Sequence, residues 1–225
     1  MLKILFQKSF LYFILPFIAL VLGGAGLLLF FEKGDILLAV NKISNKGLDT
    51  FFLFITDFGL GVFIAIAGIL FSIYKIRWSL LLLTSLGLVG IFTNLFKKVF
   101  FPGLTRPLHY FLYDDLHRFI HEVPLIYFRT FPSGHTMAIF AFCSMLAYLA
   151  RQKVLSILLF AIASIVAISR VYLLQHFFID VYFGAILGLV STFLAIWLID
   201  KKLIKNKSFP DKGLVQLVFK RGGGE

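Results

Sequence analysis

The sequence predicts an all-α polytopic membrane protein: six transmembrane helices, with an amphipathic interfacial helix between spans three and four. Three observations carry that expectation. Of the 225 residues, 60% are hydrophobic, and the mean hydropathy is +0.96; a soluble domain is usually about 45–50% apolar. The apolar residues gather in six long, charge-poor runs, and about 20 helical residues cross a bilayer core. Lysine and arginine divide unequally between the two sides that those runs define.

The runs cover residues 10–31, 51–74, 80–96, 136–150, 154–169 and 178–199. Helices are the expected form, because backbone polar groups in lipid must pair within their own segment. The first run follows Lys3 and Lys8. It is too long for a signal-peptide core and lacks a small-residue cleavage site, so it reads as a retained anchor. The fourth and fifth are short and are expected to extend into their polar flanks. Residues 32–50 read as a polar connection without pattern. In the connection before the fourth run, Leu108, Leu112, Leu116, Phe119, Ile120 and Val123 recur at helical spacing. Asp114, Asp115, His117, Arg118, His121 and Glu122 fill the places between them. That pattern is the interfacial helix, ended by Pro124. His117 and His121 stand four apart, and we read them as its polar face, with no metal site. The single cysteine, Cys143, sits in an apolar run and reads as packing.

Residues 1–225 read as a single domain with a basic tail over 201–225. One side carries Lys3, Lys8, Lys75, Arg77, Arg151, Lys153 and the tail, 13 basic against 3 acidic residues; the other carries 9 and 8. The positive-inside rule places the first side, with both termini, in the cytoplasm. The net charge of +11 is therefore a topology signal and an attraction to anionic lipid. It gives no reason to expect a nucleic-acid partner.

Three clusters of polar residues fall on the opposite side. The first holds Lys97, Lys98 and Arg106; the second Ser133, Gly134 and His135; the third Ser169, Arg170, His176 and Asp180. Ionisable groups at the ends of membrane helices are costly and mark candidate sites. His176 and Asp180 share a helix face one turn apart. A carboxylate accepting from Nδ1–H leaves Nε2 bare as a nucleophile. Arg170 offers paired donors to phosphate oxygens. Ser133 and Gly134 precede a helix, whose free N–H groups favour an anion. His135 is placed to give a leaving alkoxide its proton. Together these groups suit phosphoryl transfer to histidine and then to water, with no cofactor and no metal.

The clusters resemble the tripartite signature of the type 2 phosphatidic acid phosphatase superfamily: Lys-x6-Arg-Pro, Pro-Ser-Gly-His, and Ser-Arg-x5-His-x3-Asp. Pro132-Ser133-Gly134-His135 meets the second motif, and Ser169-Arg170 through His176 and Asp180 meets the third. The resemblance implies His176 as nucleophile, Asp180 as its partner and His135 as general acid. It implies Arg106, Arg170, Ser133 and Gly134 as phosphate holders. The first motif departs from the pattern: seven residues separate Lys98 from Arg106, and eight separate Lys97. Lys98 is preferred, with the extra residue absorbed in the bend at Pro102-Gly103.

The six-span layout is similar to the bacterial integral-membrane branch of that superfamily. This implies a multi-pass protein of the bacterial inner membrane, its site facing the periplasm and its substrate a phosphorylated lipid still anchored in the bilayer. Overall likeness favours the lipid A 1-phosphatases. Undecaprenyl diphosphate and phosphatidylglycerol phosphate are the alternatives, and non-catalytic phospholipid binding or transport is the alternative of another class. His109, Arg129 and the interfacial helix are expected to meet the headgroup.

Overall fold

Each long apolar run is helical, and all but the second form one helix apiece. The computed structural model describes residues 7–111, 116–120, 122–199 and 213–215. These form α1 (Leu11–Phe30), α2 (Asp35–Lys42), α3 (Lys46–Thr56), α4 (Gly61–Tyr74), α5 (Ile76–Asn94), α6 (Pro107–Tyr110), α7 (Gly134–Ala150), α8 (Lys153–Tyr172) and α9 (Phe178–Ile196). Among the described residues there is no strand; Thr105 and Phe128 make one isolated antiparallel bridge.

Among the described residues four helices are long and apolar enough to span by themselves: α1, α5 with its extension to Phe100, α8, and α9 with its extension to Ile199. The expected second span, 51–74, is instead two helices bent by 52°, with a 3-10 turn over Asp57–Gly59 at the break. Counted as one span, the pair brings the number to five. The expected fourth span is α7, with 17 residues, short of the ~20 of a full crossing. Six apolar segments are therefore present, and five of them meet the length and composition of a crossing.

α7 lies at the centre of the bundle. Met137, Ile139, Phe140, Met145 and Ala147 on it are at most 1% exposed. α9 crosses it at close range. A Cβ on Gly188 would sit 2.5 Å from the Met137 carbonyl oxygen, and one on Gly184 would sit 2.9 Å from that of Ser133. Ser144 and Thr192 are hydrogen-bonded across the same interface at 2.7 Å, the small-residue packing that membrane helices use. The outward faces are apolar. Leu15, Leu22 and Leu29 on α1, Val62, Ile66 and Ile69 on α4, and Val154, Ile157 and Leu158 on α8 are all exposed, as lipid contact requires.

Two expectations are corrected. Residues 32–50 are not patternless: they hold α2 and the start of α3, whose Asn45 caps the first turn by accepting from the Leu48 N–H. Among its described residues the interfacial helix over 108–123 is not continuous: 108–110, within α6, are helical, and 116–120 are irregular. The reason is a tertiary contact. Asn41 Nδ2 donates to the Arg118 carbonyl at 2.8 Å, and the Arg118 N–H donates to Asn41 Oδ1 at 3.2 Å. A side chain on α2 takes the two backbone groups that a helix would pair internally. Leu112, Asp114, Asp115 and His121 lie outside the described residues, as does the tail 201–225 apart from 213–215.

The connections sort the charges to two ends. Gln7 bonds the Tyr148 carbonyl, and Lys75, Arg77 and Arg151 line one pocket, so these mark the end where α7 finishes. The ends of α5 and α8 and the starts of α7 and α9 form the opposite end, where all three polar clusters lie.

Candidate active site

The third cluster is set by the turn between α8 and α9. The N–H groups of Gln175 and His176 both donate to the Arg170 carbonyl, at 3.0 and 3.1 Å. His176 is thereby folded back over the end of α8 and is 1% exposed. Asp180 sits in the first turn of α9, where Oδ2 accepts the Phe177 N–H at 2.9 Å. His176 Nδ1 stands 3.5 Å from Asp180 Oδ2, long for a direct hydrogen bond. Thr130 fills the relation: its hydroxyl donates to Asp180 Oδ2, and its oxygen lies 3.3 Å from His176 Nδ1.

The second cluster joins the third through backbone. The Ser133 N–H donates to the Asp180 carbonyl at 3.0 Å. Ser133 caps α7, and its Oγ accepts from the Thr136 hydroxyl at 2.9 Å and the Thr136 N–H at 3.4 Å. With its oxygen so engaged, the hydroxyl proton of Ser133 is left as a donor. His135 follows Gly134 in the first turn and packs against Gly59 at the α3–α4 break.

The first cluster reaches the third through Arg106, which is 7% exposed. Its Nε donates to the Phe128 carbonyl at 3.2 Å, and its Nη1 donates to the carbonyl and the side-chain oxygen of Gln175 at 3.2 and 3.0 Å. Arg170, also 7% exposed, donates from Nη1 to Thr56 Oγ1 at 2.7 Å. Its Nε is buried and has no hydrogen-bond partner among the described residues. A buried donor without a partner is costly and uncommon, and an anion bound there satisfies it.

The charges of Arg106, Lys97 and Arg170 act on both His135 and His176. Burial, followed by those charges and His135, holds the His176 pKa well below its ordinary 6.5. The imidazole is therefore neutral at pH 7. Burial also lowers the Arg106 pKa, opposed by Asp180, and the guanidinium remains charged.

Lys97, not Lys98, is the lysine of this locus. Lys97 is half-buried and its charge reaches both histidines and Asp180, whereas Lys98 is exposed. The physical reason is the π-helical turn over Leu95–Phe100 that continues α5. A wider turn changes which side chain faces inward, and the bend at Pro102-Gly103 does not act alone. Gly134, Ser133, Arg106, Arg170, His135, His176 and Asp180 all lie at the expected end. His109 and Arg129 are exposed, and the His109 ring lies tilted by 50° against Phe128 with ring centroids 5.1 Å apart. Sequence reasoning missed Thr130, Gln175, Thr56 and Thr136. Each bonds a residue of a cluster, and the visible signal was a polar residue kept in an apolar run.

Buried donors from three separate connections, a neutral imidazole and a carboxylate define a helical membrane protein equipped to take an anion at one end of its bundle. The model of one family matches residues 78–204, more than half of the chain and all three clusters. The chain belongs to the PAP2 superfamily, whose members are phosphatases. Two crystal structures are similar to it. Aquifex aeolicus LpxE matches with a TM-score of 0.65 at 24% identity, over 74% of this chain and 96% of that one; the likeness is one of fold. The PAP2-type phosphatidylglycerolphosphate phosphatase of Bacillus subtilis matches with a TM-score of 0.55 at 26% identity, over 86% and 98%. No curated protein matches the chain.

Proposed function

We propose that this protein removes the terminal phosphate of a membrane lipid at the periplasmic face of a bacterial inner membrane, through a phosphohistidine on His176. One observation carries the reading. His176 is buried, faces Thr130 and Asp180 at Nδ1, and is held neutral by its burial and by the charges of Arg106, Lys97 and Arg170.

In the first step Nε2 of His176 attacks phosphorus and the bond to the lipid oxygen breaks. His135, protonated, gives its proton to the departing alkoxide. The phosphate brings negative charge beside His135, which favours the imidazolium. In the second step water attacks phosphorus, the P–N bond breaks, and His135 takes the proton of that water. Inorganic phosphate leaves and His176 is neutral again. Arg106, Arg170 and Lys97 hold the equatorial oxygens with the Ser133 hydroxyl and the N–H groups at the start of α7. No step calls on a metal, and among the described residues no three His, Cys, Asp or Glu residues cluster as ligands.

The cationic end formed by Lys75, Arg77 and Arg151 supports a cytoplasmic assignment for that end, which leaves the site outward. Lipid A 1-phosphate is the substrate we favour, and undecaprenyl diphosphate and phosphatidylglycerol phosphate are the alternatives. Phosphate release from each of the three lipids, measured on purified protein in mixed micelles, tests this. Fastest turnover on lipid A supports the assignment, and fastest turnover on either other lipid replaces it. Phosphate binding with no turnover on any of them makes the protein a binder or transporter.

A further inference from the structure

The residue that completes the nucleophile is Thr130. The chain reaches it through a short antiparallel pairing: the Arg106 N–H donates to the Tyr127 carbonyl at 2.8 Å, Thr105 bridges Phe128, and the Thr130 N–H donates to the Leu104 carbonyl at 3.3 Å. Phe128 and Arg129 are exposed. Arg129 then turns the chain with a left-handed φ of 60°, and Thr130 enters the interior at 2% exposure.

A hydroxyl has one proton and two lone pairs. The proton of Thr130 goes to Asp180 Oδ2. The oxygen facing His176 Nδ1 at 3.3 Å is therefore an acceptor, and the nitrogen opposite it must carry the hydrogen. Asp180 Oδ2 lies farther from Nδ1, at 3.5 Å, and also receives the Phe177 N–H. We propose that Thr130 is a positioning residue that links His176 to Asp180: Nδ1–H donates to the threonine oxygen, and the threonine proton donates to the carboxylate. The link fixes the tautomer with Nε2 bare. It also lets the Asp180 carboxylate stabilise the positive charge that develops on His176, with every proton staying on its own atom. This rests on the reading of His176 as the nucleophile.

The test compares Thr130→Val, Thr130→Ala and Thr130→Ser in the full chain, on whichever of the three lipids wild type turns over. Losing a hydrogen bond to a group that becomes charged lowers kcat by about 10- to 100-fold, with KM little changed; Thr130→Ser recovers most of it. In an Asp180→Asn background the Thr130→Val loss shrinks, because the two changes break one linkage. Nitrogen-15 spectra of the histidines give a readout that needs no turnover: the wild-type His176 carries its proton on Nδ1, and Thr130→Ala shows a mixture of tautomers. The proposal is overturned by an unchanged kcat in Thr130→Val, by a serine variant as impaired as the valine one, by an undiminished loss beside Asp180→Asn, or by a tautomer that Thr130→Ala leaves unaltered. A wild type that releases phosphate from no lipid defeats the phosphatase reading instead, and the nitrogen spectra still judge the linkage.

Discussion

Arg106 and Gln175 are joined twice: Nη1 of the arginine donates to the side-chain oxygen of Gln175 at 3.0 Å and to its backbone carbonyl at 3.2 Å. The residue just before His176 thereby fixes the guanidinium of the first cluster, and Gln175 Nε2 is itself anchored on the Pro124 carbonyl at 3.3 Å. Gln175→Leu keeps the bulk and removes one acceptor. Hydrogen bonds to charged groups are worth about 1.5–3 kcal/mol, so kcat/KM is expected to fall about tenfold or more, mainly through KM. Steady-state kinetics check this, and an unchanged KM denies Gln175 the role.

Gly59 brings the α3–α4 break against His135. A Cβ there would lie 3.1 Å from His135 Cβ and 3.2 Å from the His135 carbonyl oxygen. Gly59→Ala therefore pushes on the proposed general acid from outside the motifs. A displacement of about 1 Å at a reacting group costs about 100-fold at the upper end. The expected result is a folded variant with kcat reduced by at least several-fold. Full activity in the alanine variant contradicts the packing argument.

The depressed pKa of His176 has a consequence for stability. Above pH 6.5 the imidazole is neutral whether the chain is folded or unfolded. As the pH falls below 6.5 the unfolded chain binds a proton that the folded chain refuses, so stability drops until the depressed pKa is reached. One proton changes stability by about 1.4 kcal/mol per pH unit. Thermal unfolding of wild type and His176→Gln between pH 7 and 5 is expected to show the steeper loss in wild type. Parallel curves are the contrary outcome.

Asp49 ties Arg118 to the end of α8. It accepts from the Tyr172 hydroxyl at 2.6 Å and from Arg118 Nε at 2.7 Å, and its exposure is 9%. Asp49→Ala leaves the Tyr172 hydroxyl only the Asn45 carbonyl at 3.3 Å and removes the partner of the partly exposed Arg118, and is expected to destabilise the protein by about 1 kcal/mol. The measurement is the unfolding midpoint in detergent. The loss should exceed that of Asp49→Asn, which keeps an acceptor for Tyr172.

The apolar runs were readable because length and lack of charge are properties of a segment by itself. The third cluster was readable for a similar reason: Arg170, His176 and Asp180 are close in sequence, and helix periodicity relates the last two. What was not readable depended on distant partners. Asn41 decides that residues 116–120 are irregular, and it lies 77 positions from Arg118. Thr130 gains its place from Asp180, 50 positions away. The choice of Lys97 over Lys98 turns on a π-helical turn, which spacing counted in ordinary helical steps does not reveal.

The central claim is a covalent phosphate on His176, and rapid acid-free quenching of the protein with a phosphorus-32-labelled lipid substrate tests it most directly. The expected label is acid-labile and base-stable, maps to the peptide containing His176, forms within a single turnover of wild type, and is absent from His176→Ala. Turnover by His176→Ala at the wild-type rate, or a label that persists without His176, contradicts it.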